Sequence, residues 1–303
     1  MNRRAFLAAS AAVSASAACS VSANTQEDPP NTGKMKLRYA PGLGSFKAHA
    51  GKDPIDNIKF MADQGITAIF DNWLVRRSPA EQEAIAKELQ KHDMMLGPFI
   101  LVANQQTKAF TLNDKDAMDA AIKDIKIGIE TAKRTGGKWG LIVPGGYDKK
   151  LHIEYQTANV IDNLRRCAEI LEPAGLVGVL EPLNIYVNHP DVFLQRMPQS
   201  YMICRAVNSP CMKIVNDLYH QQITEGNLIH NIDMSWNEIG AFHLGDTPGR
   251  REPGTGEINY KNIFKHIHDR GFKGVLCMEH GVSKGGIEGE KALLAAYRQC
   301  DDF

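Results

Sequence analysis

"VGVLEPLN", Val177–Asn184, joins four continuously apolar residues to a glutamate, Glu181, with no turn between them. A strand buried on both faces of a parallel sheet has this unbroken apolar character, whereas a half-exposed strand alternates. Similar short runs occur at Leu37–Ala40, Ile66–Phe70, Met95–Val102, Trp139–Val143, Met212–Val215, Ile239–Leu244 and Gly274–Met278. Segments with helical spacing separate them. Met118, Ile122, Ile125 and Ile129 step by four, three and four, and Ile161, Leu164, Ala168 and Leu171 by three, four and three. Asp53-Pro54 places an N-cap before a first-turn proline, and Ser78-Pro79-Ala80-Glu81 reads as a capping box. Eight strands alternating with helices imply parallel pairing through crossover helices. A chain of 303 residues accommodates the ~250 residues of a closed (β/α)8 barrel. An open doubly wound sheet is the competing architecture, and it calls for a Gly-rich phosphate turn after its first strand. "YAPGLGSF", Tyr39–Phe46, is only a partial G-x-G with no third glycine, and reads as a loop.

The chain carries 35 basic and 35 acidic side chains, a balance with no general attraction for nucleic acid or an anionic membrane. Its first residues, "MNRRAFLAASAAVSASAACSVSAN", have the layout of an export signal: paired arginines Arg3 and Arg4, a short apolar middle, then small residues. The run is too short to span a bilayer as a helix. Arg-Arg-x-Phe-Leu resembles a twin-arginine signal, and Val21-Ser22-Ala23 offers a cleavage point. Cys19 is an alternative lipid-attachment point, though Ser16 matches poorly the aliphatic residue usual there. The expected layout is therefore an export signal over 1–23, a polar linker over 24–36 and a single barrel domain over 37–303, in a periplasmic or otherwise exported protein. The other cysteines, Cys167, Cys204, Cys211, Cys277 and Cys300, form no C-x-x-C pair, and their odd number argues against a disulfide framework. Cys277, inside an apolar run, reads as a small buried hydrophobe.

Barrel chemistry sits at the C-terminal ends of the strands. Strand five ends in Glu181 and strand six in Asp217 ("KIVNDLYH"). His243 lies near the end of strand seven ("GAFHLGD"), and Glu279 closes strand eight ("GVLCMEH"). Adjacent strands lie ~4.8 Å apart, so four side chains from consecutive strands can converge on one ion. Three carboxylates and one imidazole suit Mn²⁺, Mg²⁺ or Co²⁺ better than structural zinc, which favours thiolates and imidazoles. Singly, each residue is as well explained as a loop cap or a hydrogen-bonded interior group; the set of four points to a metal.

"LEPLN", "NDLYHQQITEGN", "FHLGDTPGRREPGTGEINY" and "MEH" resemble the hydroxypyruvate isomerase-like branch of the xylose isomerase-like TIM-barrel sugar isomerases and epimerases. The resemblance is densest from Leu180 to Glu279, and "PGRREPGTGEINY", Pro248–Tyr260, is its most specific stretch. It implies metal ligation by Glu181, Asp217, His243 and Glu279, and substrate contacts by His220 and Arg250. Some members carry Gln in place of His243, whose identity here is closer to the ketose epimerases.

Moving a carbonyl between adjacent carbons passes through an enediolate, whose charge a metal stabilises as a Lewis acid while a carboxylate moves the proton. Glu181 and Glu279 are the expected catalytic carboxylates. His220 and Arg250 are donors suited to a carbonyl or carboxylate oxygen, with Arg able to grip a carboxylate through two bonds. A salt bridge from Arg250 to Glu252 or Glu257 is the competing role. Asp217 and His220 are read as divided between metal and substrate rather than bonded to each other. Glu257 is a weaker candidate, better explained as a helix-start charge, and Trp73 either walls the pocket or packs the rim. The expected activity is a divalent-metal-dependent isomerase of hydroxypyruvate or a related small sugar. A ketose 3-epimerase or a polyol or keto-acid dehydratase could use the same site; a catalytically inactive carbohydrate-binding barrel is the alternative of another class. The expected partner is a small-molecule substrate, with self-association open.

Overall fold

The computed structural model describes residues 33–303; the expected export signal and the linker as far as residue 32 lie outside the described residues. Nine strand segments follow one another: β1 (Tyr39–Pro41), β2 (Ala68–Ile69), β3 (Met95–Leu96), β4 (Phe99–Val102), β5 (Trp139–Ile142), β6 (Val177–Leu180), β7 (Met212–Asp217), β8 (Ile239–Leu244) and β9 (Leu276–Met278). β4 to β9 pair in sequence order, all parallel, and β9 pairs back onto β1. β2 pairs with β3 and is tied to β1 by a bridge between Gly42 and Phe70, with Phe70 N donating to Pro41 O at 3.0 Å. Counting β3 and β4 as one interrupted strand, the ring closes with eight positions.

That interruption departs from the single run expected over Met95–Val102. Pro98 lacks the N–H a ladder needs. Its neighbour Gly97 donates instead to Ile69 O at 2.7 Å. A Cβ on Gly97 would stand 2.9 Å from Cys277 Sγ and 3.0 Å from Phe70 Cβ, so the packed interior leaves room only for glycine there.

Ala40, Ala68, Phe70, Leu141, Val179, Val215, Ala241, Val275 and Cys277 fill the barrel interior as one apolar cluster. Side chains alternate along a strand. Glu181, Asp217, His243 and Glu279 each lie two residues beyond Val179, Val215, Ala241 and Cys277, so they continue the same inward columns at the C-terminal rim. The interior packing and the candidate site are thus successive layers of one pattern.

The helices begin where the sequence places them. Asp53 Oδ1 accepts from Ile55 N at 2.7 Å and opens Pro54–Asp63; Ser78 and Glu81 form a complete capping box before Pro79–Lys91. Lys115–Thr135 buries Met118, Ile125 and Ile129, and Ile153–Leu171 buries Leu164, Ala168 and Leu171, against the outer sheet face. The five described cysteines are free thiols. Among the described residues no helix is long and apolar enough to cross a membrane.

Candidate metal centre

Strand register sets the site. Asp217 stands opposite His243 across β7 and β8, and His243 opposite Cys277 across β8 and β9. Glu181 leaves β6 and Glu279 leaves β9 one residue past the last ladder position. Each of the four residues offers one ligand atom, and these atoms lie within 4.8 Å of one another. Glu181, Asp217 and His243 are buried, and Glu279 is partly exposed. His243 Nδ1 sits 2.9 Å from Glu181 Oε1 and 3.1 Å from Glu279 Oε2, between the two carboxylates.

Three carboxylates so close need compensating charge, and here it comes from two sources. Burial opposes the charged imidazole of His243, but the Glu279 and Glu181 carboxylates raise its pKa well above the ordinary histidine value. Arg250 Nη2 lies 2.8 Å from Glu279 Oε2 and 3.2 Å from Asp217 Oδ2, and its Nε donates to Glu279 O at 3.1 Å. A proton and a guanidinium thus meet the need that a bound dication would meet. Converging oxygens around one imidazole nitrogen fit Mn²⁺, Mg²⁺ or Co²⁺, and Glu181, Asp217, His243 and Glu279 are the residues that would hold it. The two glutamates are pushed apart. Burial, then the charge of Glu279, raises the Glu181 carboxyl to about 7. Glu279 is held well below the carboxylate range, because His243, Arg250 and an amide from Asn72 outweigh its burial.

Arg250 does not pair with Glu252 or Glu257. It sits at φ 48° in a loop that follows a cis Thr247-Pro248 bond. Asp246, fully buried, organises that loop: its Oδ1 accepts from Thr247 N and Ile258 N at 3.0 Å, and its Oδ2 from Gly254 N and Gly256 N at 2.9 Å. A Cβ at Gly256 would meet Thr247 O at 2.0 Å, so this turn requires glycine. The motif Pro248–Tyr260 therefore encodes a closed loop that holds Arg250 against the site, while Glu252 accepts from Ser283 N at 2.8 Å.

His220 is 2% exposed, and burial pushes its pKa down to about 4. Its Nδ1 receives the Asn184 side-chain amide at 2.6 Å and Asn184 N at 3.3 Å, which leaves the ring proton on Nε2, 3.5 Å from Asp217 Oδ2. The expected separation of Asp217 from His220 needs correcting. Asp217 Oδ1 accepts from His220 N at 3.0 Å as the N-cap of Leu218–Thr224, while its Oδ2 faces Arg250. One carboxylate serves both a local cap and the site.

Two asparagines join the site that the sequence reading did not single out. Asn184, inside the quoted "LEPLN", orients His220, and its place in that motif was a usable signal. Asn72 Nδ2 donates to Glu279 Oε1 at 2.7 Å; nothing in "FDNW" marks it. Glu257 is exposed, lies ahead of the helix Tyr260–Asp269 and accepts from Gln222 at 3.2 Å, away from the cluster. Trp73 is 50% exposed, with Arg76 stacked on its ring at 3.8 Å. It lines a lateral cavity of 740 Å³ with Ile100–Gln106 and Ile127, and none of the four cluster residues lines that cavity.

Comparison with known proteins agrees with this fold. The Escherichia coli hydroxypyruvate isomerase is 33% identical over 123 residues, 41% of this chain and 47% of that protein. A 2-oxo-tetronate isomerase of Cupriavidus necator is 30% identical over 132 residues, 44% and 50% of the two chains. The chain spans about half the length of the curated relatives it matches. Among solved structures, an AP endonuclease, family 2, from Brucella melitensis aligns with TM-score 0.71 at 22% identity, over 84% of this chain and 96% of that one. The apo 3-keto-D-glucoside 4-epimerase of E. coli aligns with TM-score 0.71 at 18% identity, over 88% and 100%. The family model described as "Xylose isomerase-like TIM barrel" matches residues 58–300. With the closed eight-position ring, this match shows that the chain belongs to the xylose isomerase-like TIM-barrel family.

Proposed function

We propose that this barrel is a divalent-metal-dependent isomerase that moves a carbonyl between adjacent carbons of a small hydroxy-keto acid or sugar, with a hydroxypyruvate-like acid the leading substrate. The observation that carries the reading is the convergence of Glu181, Asp217, His243 and Glu279 within 4.8 Å at the C-terminal rim. The isomerase names of relatives at about 30% identity support it.

The reaction removes a proton alpha to the carbonyl and returns it to the neighbouring carbon, through an enediolate whose charge spreads over two oxygens. A bound Mn²⁺ or Mg²⁺ supplies Lewis-acid stabilisation of that charge. The chain's own residues handle the proton and the orientation. Glu181, buried at the rim beside His243, is a carboxylate suited to accept a proton and give it back. Glu279, leaving a different strand and partly exposed, is suited to act as base from another side. The Nε2 proton of His220 and the guanidinium of Arg250 are donors for the substrate's carbonyl or carboxylate oxygens.

Interconversion of hydroxypyruvate and tartronate semialdehyde, and of aldose and ketose pairs, with added Mn²⁺ or Mg²⁺ tests the reading. Turnover is expected in the wild type, with a loss of about 10²- to 10⁴-fold in kcat for Glu279→Gln. An epimer as the only product would move the protein to the ketose 3-epimerases. Metal binding with no turnover across a broad panel would favour a carbohydrate-binding barrel.

A further inference from the structure

We propose that Asn72 is a positioning residue for Glu279, fixing which carboxylate oxygen faces the metal cluster; the inference rests on the metal reading above. Asn72 lies beyond β2 in the inward column of Ala68 and Phe70, both part of the interior cluster. Its backbone is pinned, because Asn72 O accepts from Ile100 N at 3.1 Å on the next strand of the ring. Its Nδ2 donates to Glu279 Oε1 at 2.7 Å, while Glu279 Oε2 faces Arg250 Nη2 at 2.8 Å and His243 Nδ1 at 3.1 Å. The two oxygens of one carboxylate are thereby given separate partners, an amide on one and the charged cluster on the other.

The amide's orientation follows from chemistry. An ionised carboxylate only accepts, so a flipped Asn72 would set oxygen against oxygen. In the orientation found, Asn72 Oδ1 is buried without a hydrogen-bond partner. Buried polar atoms are seldom left unpaired, so the unpaired Oδ1 is a cost that the hydrogen bond to Glu279 offsets. What the side chain supplies here is the hydrogen bond it gives Glu279. Removing it frees the carboxylate to turn away from the cluster and weakens its grip on a cation; supporting hydrogen bonds of this kind typically contribute about 10- to 100-fold to metal affinity.

Calorimetric titration with Mn²⁺ alone, beside thermal unfolding of the metal-free protein, tests the inference in wild type, Asn72→Ala and the volume-preserving Asn72→Leu. The expected result is a Kd for Mn²⁺ raised about 10- to 100-fold in both variants, with both variants still folding cooperatively in the metal-free state. Mn²⁺ affinity within twofold of wild type in both variants overturns the inference alone. Failure of both variants to fold shows a structural role and overturns it too. A wild type that binds no Mn²⁺ overturns the metal reading, and this inference with it.

Discussion

One guanidinium, that of Arg250, meets the Asp217 and Glu279 carboxylates through Nη2 and the Glu279 carbonyl through Nε. Its side chain is 26% exposed, so solvent screens the pair only in part. Removing one partner of a largely buried ion pair leaves the other charge without compensation. Arg250→Ala should therefore destabilise the metal-free protein by about 2 kcal/mol, less than a fully buried pair loses. The loss should shrink when Mn²⁺ is added, because a dication bound by Asp217 and Glu279 takes over the compensation. Urea unfolding with and without Mn²⁺ measures both effects; an equal loss under the two conditions would mean that Arg250 and the cation act at separate places. Arg250→Lys is not a conservative change here, since a single ammonium lacks the planar fork that reaches two carboxylates and a carbonyl at once.

At the scale of single elements, the local signals held where the backbone itself needed them. Ser78 Oγ accepts from Glu81 N at 3.3 Å and Glu81 Oε2 from Ser78 N at 2.9 Å, so the box satisfies two donors that would otherwise face only water. Ser78→Ala should cost about 1 kcal/mol of stability with activity unchanged, as read by denaturant unfolding and steady-state assay. The same reasoning explains what was legible and what was not. Glu181 and Glu279 could be read because each directly follows an apolar strand, and strand alternation fixes which way such a residue points. The break between β3 and β4 was available in Gly97-Pro98, but the apolar run around it masked it. Arg250 could be placed in the site loop, yet not its partners: these depend on Asp246 gathering four N–H groups from residues up to twelve positions away. Asn72 was out of reach, since its bond to Glu279 crosses 207 positions of sequence.

Across the whole molecule, the site is a consequence of closure. Glu279 and Asn72 meet only because β9 pairs with β1 and β1 is bridged to β2, which brings the two ends of the domain together. Below them, small and branched residues, among them Ala40, Ala68, Val179, Val215 and Ala241, fill the interior and leave polar chemistry to the rim layer. A family whose barrel supports many reactions varies the rim and keeps the interior, so the fold alone does not choose between isomerase and epimerase. What separates both from a binding barrel is proton transfer at carbon. The most direct measurement is hydrogen–deuterium exchange: incubate hydroxypyruvate and small ketoses with the protein in D₂O and follow label at carbons alpha to the carbonyl. Label should appear with Mn²⁺ or Mg²⁺ present, disappear with a chelator and be lost in Glu279→Gln; isomerised product free of deuterium in every active substrate would contradict a mechanism in which Glu181 or Glu279 exchanges its proton with water through an enediolate.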